Sequence, residues 1–197
     1  DWDNRLELDT AGALALRLGF RQLDGFRHAW ADALVTARAR GGRFADIAQL
    51  ARYTRMDVAG LRSLADADAM GSLGLSRRDA LWAVRRMPQG ELPLFAHADA
   101  QELGAEPDAA LPTMPLSQEV ATDYQTTRLS LKAHPMALLR HHFDGKVRIC
   151  AETVMARSDT RVRTAGLVLV RQRPGKGNAI FITIEDETGI TNVLLWA

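Results

Sequence analysis

The chain has 197 residues, 25 Lys and Arg against 24 Asp and Glu, and one cysteine, Cys150. That length suits one large domain or two small ones, and 47% apolar with 25% charged residues excludes global disorder. A single cysteine excludes a disulfide framework or a multi-cysteine metal cage, and no apolar run reaches the roughly 20 residues that cross a bilayer.

No basic-then-apolar leader opens the chain, so the cytoplasm is the default compartment and no membrane partner is expected. The first residue is Asp1, not Met, and the chain reads as a piece of a longer protein. Its near-zero net charge conceals blocks. Residues 1–20 sum to −2, 21–86 to +5, 87–127 to −7 and 128–197 to +5. Two basic blocks flank an acidic one. Such blocks either meet an anionic partner such as nucleic acid or simply keep two surfaces solvated.

Residues 20–87 read as a helical module. Phe26, Trp30, Leu34 and Val35 fall near one face of a helix over Arg27–Arg40, which Gly41 and Gly42 should stop. Phe44, Ile47, Leu50 and Ala51 repeat the helical period. Asp57 and Ser76 are expected N-caps of a third and a fourth helix. Before the first helix stands the turn Leu23-Asp24-Gly25-Phe26, flanked by Arg21 and Arg27. Glycine permits a tight bend, and the free amides and positive end of the following helix favour a phosphate. This is the physics of a helix-hairpin-helix, which grips backbone phosphates and reads no bases. The pattern alone fits two ordinary helix corners equally well. A second turn, Ala67-Asp68-Ala69-Met70, carries an aspartate that would repel phosphate.

Residues 88–127 read as an acidic, Pro-rich linker, with five prolines between Pro88 and Pro115. Residues 128–160 read as a connecting segment with a helix from Pro135 to His142. From 161 the chain turns β-rich. Strands are expected over Arg161–Val170, Ala179–Ile184 and Ile190–Trp196, joined by the basic turn Arg171–Asn178 and the turn Glu185–Gly189. A three-stranded meander leaves an apolar edge, so 161–197 reads as the first strands of an incomplete five-stranded antiparallel barrel of oligonucleotide-binding (OB) type. Gly166 is expected to supply a mid-strand bend. Two more strands are expected beyond Ala197. Arg161, Arg163, Arg171, Arg173 and Lys176 are candidates for its basic rim. Phe181 is either a stacking platform for a base or, as aromatics among isoleucines usually are, core. The fold class is thus α+β with several modules.

The order of these modules resembles the C-terminal part of bacterial C-family polymerase subunits of the DNA polymerase III alpha type, most of all the error-prone, damage-tolerant branch. The segments that carry the resemblance are Leu14–Phe20 leading into Gly25, Ala67–Trp82, Leu129-Ser130-Leu131-Lys132-Ala133-His134-Pro135-Met136, Ala165–Arg171 and Glu185-Asp186-Glu187-Thr188-Gly189. The resemblance implies that residues 1–19 end a fingers-like region. It implies a parent DNA-directed DNA polymerase that uses deoxynucleoside triphosphates and divalent metal (magnesium), with its aspartate cluster upstream of Asp1. This piece should therefore hold no catalytic residue, metal site or cofactor. Its implied partners are duplex DNA, through Arg21, Gly25, Phe26 and Arg27, and single-stranded template at the barrel.

Two departures from the family pattern stand out. Arg27 replaces the second turn glycine, removing backbone freedom and adding a cation. Glu91-Leu92-Pro93-Leu94-Phe95 sits where relatives carry a sliding-clamp peptide that usually begins with Gln. Leu92, Leu94 and Phe95 are its candidate anchors. The alternative reading is a protein-interaction module that recruits the clamp or accessory mutagenesis proteins with little DNA affinity. His134 reads as structural.

Overall fold

A computed structural model describes residues 1–87, 111–175 and 177–196. The chain divides into two compact units, Asp1–Met114 with Thr122–Leu129, and Pro115–Ala121 with Ser130–Ala197.

The first unit opens with an antiparallel hairpin, β1 (Arg5–Leu8) and β2 (Leu14–Arg17), paired Leu6 to Leu16 and Leu8 to Leu14. The Asp9 carboxylate closes its turn by accepting the amides of Ala11 and Ala13. The sequence reading gave this stretch no element; four-residue strands carry too few alternations to declare themselves. A 3-10 turn at Phe20–Gln22 leads to α1 (His28–Gly41), α2 (Ile47–Thr54), α3 (Val58–Asp66) and α4 (Arg77–Arg86). Asp57 and Ser76 cap α3 and α4 as expected, accepting the amides of Gly60 and Asp79. Asp46 caps α2 in the same way through Gln49. The core is one cluster that includes Phe26, Leu34, Ile47, Leu50, Leu61, Leu64, Met70 and Val84.

The linker reading of 88–127 needs correction at its C-terminal end. Leu116–Thr126 is a helix, α5, begun at Pro115, whose carbonyl accepts the amides of Gln118 and Glu119. Prolines and acids dominate the composition there, and Leu116 and Val120 alone give little period. Proline suits the start of a helix while barring its interior. Within the first unit, the Asp123 carboxylate accepts from the Arg77 guanidinium of α4. Both residues are buried, and the Arg77 side chain is fully enclosed.

The second unit holds α6 (Pro135–Phe143), α7 (Cys150–Val154) and a meander of β3 (Leu167–Gln172), β4 (Ala179–Asp186) and β5 (Gly189–Trp196). His134 is the N-cap of α6, its Nδ1 accepting the Met136 amide at 3.1 Å. Strand β3 begins six residues later than expected. The stretch before it is irregular, with one parallel bridge from Thr164 to Arg148. Gly166 lies outside the strand, flush against β4. A Cβ there would stand 2.6 Å from the Glu185 carbonyl oxygen, so close approach, not a mid-strand bend, requires glycine. The described strands form an open sheet and do not close into a barrel.

Asp186 joins the pieces of this unit. Its Oδ2 accepts from Arg140 of α6 at 2.9 Å and from the Cys150 amide at the start of α7 at 2.8 Å. Its Oδ1 accepts the amide and hydroxyl of Thr188 at 2.8 and 2.6 Å. Arg140 also forks onto Glu187 at 2.7 and 2.8 Å. Burial works to raise the Asp186 carboxyl, but the bonds from Thr188, Cys150 and Arg140 outweigh it and hold the group well below the usual carboxylate range.

Arg77→Met should destabilise the helical unit by about 3–5 kcal/mol, because it leaves Asp123 buried without that cation. Urea denaturation should show a lower midpoint, and adding Asp123→Leu should recover most of the loss. For Asp186, a carboxyl depressed in the folded state adds stability above its unfolded value and loses it as pH falls. Melting of the sheet unit should therefore weaken below about pH 4. Asp186→Asn should melt lower at neutral pH and respond less to acid.

Candidate nucleic-acid interface

Leu23–Phe26 makes a corner between the 3-10 turn and α1. Gly25 sits there at φ +71°, exposed, with nothing within 4 Å of where a side chain would start. The Asp24 amide donates to the Thr126 carbonyl at 2.9 Å, and the Phe26 amide to Leu23 at 3.2 Å. Among the described residues, the amides of Gly25, Arg27, His28 and Ala29 donate to no protein acceptor. Arg27 precedes the first turn of α1 and offers no side-chain cap. The corner therefore presents unclaimed donors to solvent at the positive end of a 14-residue helix.

Phe26 does not face solvent, contrary to its reading as a contact residue. It is core, stacked on Phe20 and edge-on to Trp30, both at 5.3 Å between ring centres. Its work is to anchor the corner. The flanking cations are exposed but engaged. Arg21 bonds Asp3 at 2.7 Å. Arg27 lies 3.8 Å from Asp57 and 4.6 Å over the Trp30 ring. Exposed pairs of this kind contribute about 0–1 kcal/mol, so a phosphate can displace either carboxylate.

The second turn is built differently. Asp68 adopts φ +55°, and the amides of Ala67, Asp68 and Ala69 return to the carbonyls of Ser63, Ala65 and Leu64 at the end of α3. Those three donors are spent inside the protein.

In the sheet unit, the rim and the platform separate. Phe181 is 48% exposed, in a shallow depression with Val170, Gln172, Thr183, Asn192 and Leu194. It is therefore not core. A bulge between Val168 and Val170 pairs Phe181 with Gln172, and Arg171 with Ile182. Paired residues share a face and neighbours alternate, so Arg171 lies on the face opposite Phe181. Arg161 and Arg163 are exposed in the irregular stretch before β3, and the Arg173 Nε donates to the Gly177 carbonyl at 3.1 Å. Lys176, Leu92, Leu94 and Phe95 lie outside the described residues.

Two basic residues absent from the sequence reading stand at the Gly25 corner. Arg62 of α3 lines the open cleft beside Gly25 together with Ala59 and Ser63. The Arg128 Nη2 donates to Asp24 Oδ2 at 2.7 Å. Arg128 is 104 residues away in sequence and carried no local signal.

A family model described as helix-hairpin-helix motif matches residues 1–80, which contain the Gly25 corner and the second turn. The chain is 50% identical over 204 residues to an error-prone DNA polymerase of Rhodopseudomonas palustris strain HaA2, covering 92% of this chain and 17% of that protein. It is 48% identical over 198 residues to the error-prone DNA polymerase of Brucella abortus biovar 1 strain 9-941, covering 99% of this chain and 18% of that protein. The corresponding protein of Ruegeria pomeroyi is 46% identical across all of this chain, again over 18% of its own length. The chain thus spans less than a fifth of the relatives it matches. Across nearly its whole length, at close to half identity, the chain is similar to one segment of these error-prone DNA polymerases, and its first 80 residues match the helix-hairpin-helix model.

Proposed function

We propose that this chain is a non-catalytic, DNA-holding segment of an error-prone DNA polymerase that works in damage-induced mutagenesis and translesion synthesis. It grips the sugar-phosphate backbone of duplex DNA at the Gly25 corner. One observation carries the reading: an exposed left-handed glycine followed by helix-start amides that no group among the described residues accepts. A phosphate oxygen is the natural acceptor for such donors. The contact is independent of base identity, which suits a protein that must hold damaged and undamaged duplex alike. Nucleotidyl transfer with divalent magnesium belongs, in this reading, to the remainder of the longer polymerase. The open face around Phe181 is the part of the sheet suited to an unpaired template base, since it offers an aromatic surface beside amide groups.

Duplex binding by the 197-residue chain is measured by fluorescence anisotropy between about 50 and 200 mM salt. Affinity should fall with a log–log slope of about −2 to −3, as for two or three neutralised phosphates. Gly25→Pro removes a donor and the left-handed backbone, and Arg27→Glu reverses a charge; each should weaken binding more than Phe181→Ala does. Equal binding by wild type and both corner variants overturns the hairpin assignment. No binding even at low salt favours the interaction-module reading.

A further inference from the structure

We propose that Arg128 is a second phosphate contact at the Gly25 corner, supplied by the segment that follows α5 and not by the hairpin itself. The inference rests on the proposed DNA grip and deepens it.

The corner contains an electrostatic problem. Asp24 stands next to Gly25, its side chain exposed, and a carboxylate there repels a phosphate approaching the free amides. The structure answers with Arg128, whose Nη2 lies 2.7 Å from Asp24 Oδ2. That bond uses one of the five guanidinium donors, and the Arg128 side chain is 71% exposed. A guanidinium can accept a carboxylate on one edge and a phosphate on another.

The placement of Arg128 is fixed by backbone. The Thr126 carbonyl accepts the Asp24 amide at 2.9 Å, and the Thr127 carbonyl accepts Gln22 Nε2 at 2.8 Å. The two residues before Arg128 therefore clasp the corner on both sides of Leu23. Arg128 itself adopts φ +64°, a left-handed conformation unfavourable for a non-glycine residue. The exposed pair it makes with Asp24 returns little stability. Stability alone does not account for an arginine here, whereas a composite phosphate grip does. The proposed grip combines the amides of Gly25, Arg27 and His28 with a cation delivered from a distant segment.

The test compares the 197-residue chain with Arg128→Asn, Asp24→Asn and the double variant, by duplex anisotropy across the same salt range. Asparagine tolerates the left-handed backbone, so Arg128→Asn should leave thermal melting nearly unchanged. Arg128→Asn should bind several-fold more weakly, with a salt slope shallower by about 0.9. Asp24→Asn should bind more tightly than wild type. The double variant should remain weaker than Asp24→Asn alone, and Arg128→Lys should restore part of the slope. A double variant that binds as Asp24→Asn does, with the same slope, overturns the inference, because Arg128 then only neutralises Asp24. Unchanged binding by Arg128→Asn, with Gly25→Pro impaired, also overturns it while leaving the hairpin grip standing. Absence of wild-type binding removes both.

Discussion

The helical unit depends on a cation enclosed in its interior. Arg77 has no exposed side chain, and the Asp123 carboxylate accepts from it. Two charges taken out of water are tolerated only where their geometry is good, and losing either leaves the other stranded. That requirement fastens residues 122–129 to the start of α4. Fastened there, the chain offers the Thr126 and Thr127 carbonyls to Asp24 and Gln22. The Gly25 corner is therefore set by a contact 46 residues apart in sequence, made on the far side of the acidic segment from α4. The segment read from composition as a spacer forms part of the clamp on the site.

The two turns of the helical unit spend their amides differently. Each follows a helical element, and each contains a residue at positive φ. The second follows α3, a nine-residue helix whose last carbonyls need partners, and the amides of Ala67, Asp68 and Ala69 satisfy them. The first follows a three-residue 3-10 turn, which ends with few orphan carbonyls. Its one return bond, Phe26 to Leu23, uses the amide of the buried residue. The amides on either side stay free. The nine-residue helix before the second turn claims the amides of Ala67, Asp68 and Ala69, whereas the three-residue turn before Gly25 claims that of Phe26.

Local signals were legible where the chemistry is local. The caps Asp57 and Ser76, the proline that opens α6, and strands β4 and β5 follow from residues within a few positions. What was hidden was long-range. Phe26 reads both as part of the apolar face with Trp30 and Leu34 and as a contact residue of the turn; Phe20 and Trp30 enclose it. Arg171 misses the face of Phe181 by one residue. In the register of Leu167–Glu185 and Val168–Ile184, Arg171 would stand opposite Phe181; the bulge before Val170 puts Gln172 there instead. A single inserted residue reverses every side chain beyond it, and no composition rule reports a bulge of this kind. The result is a platform flanked by amides, with the arginine on the opposite face.

The same reasoning assigns a role to Glu185–Gly189, which carries part of the family resemblance. A buried aspartate in a segment similar to polymerases invites a metal-binding or catalytic reading. A carboxylate has about four lone-pair positions, and at Asp186 four donors occupy them: Arg140, the Cys150 amide, and the amide and hydroxyl of Thr188. With all its acceptor capacity engaged and its side chain fully enclosed, the group has none left for a cation or a proton in transit. Its depressed ionisation agrees, since a permanently charged acid is a poor general base or acid near neutrality. Asp186 instead joins α6, α7 and the β4–β5 turn into one body. Thr188 is needed because its hydroxyl and amide reach the same oxygen from within the turn, and Gly189 because β5 starts at φ +149° straight after it. The motif is a structural staple that holds α6, α7 and the β4–β5 turn together.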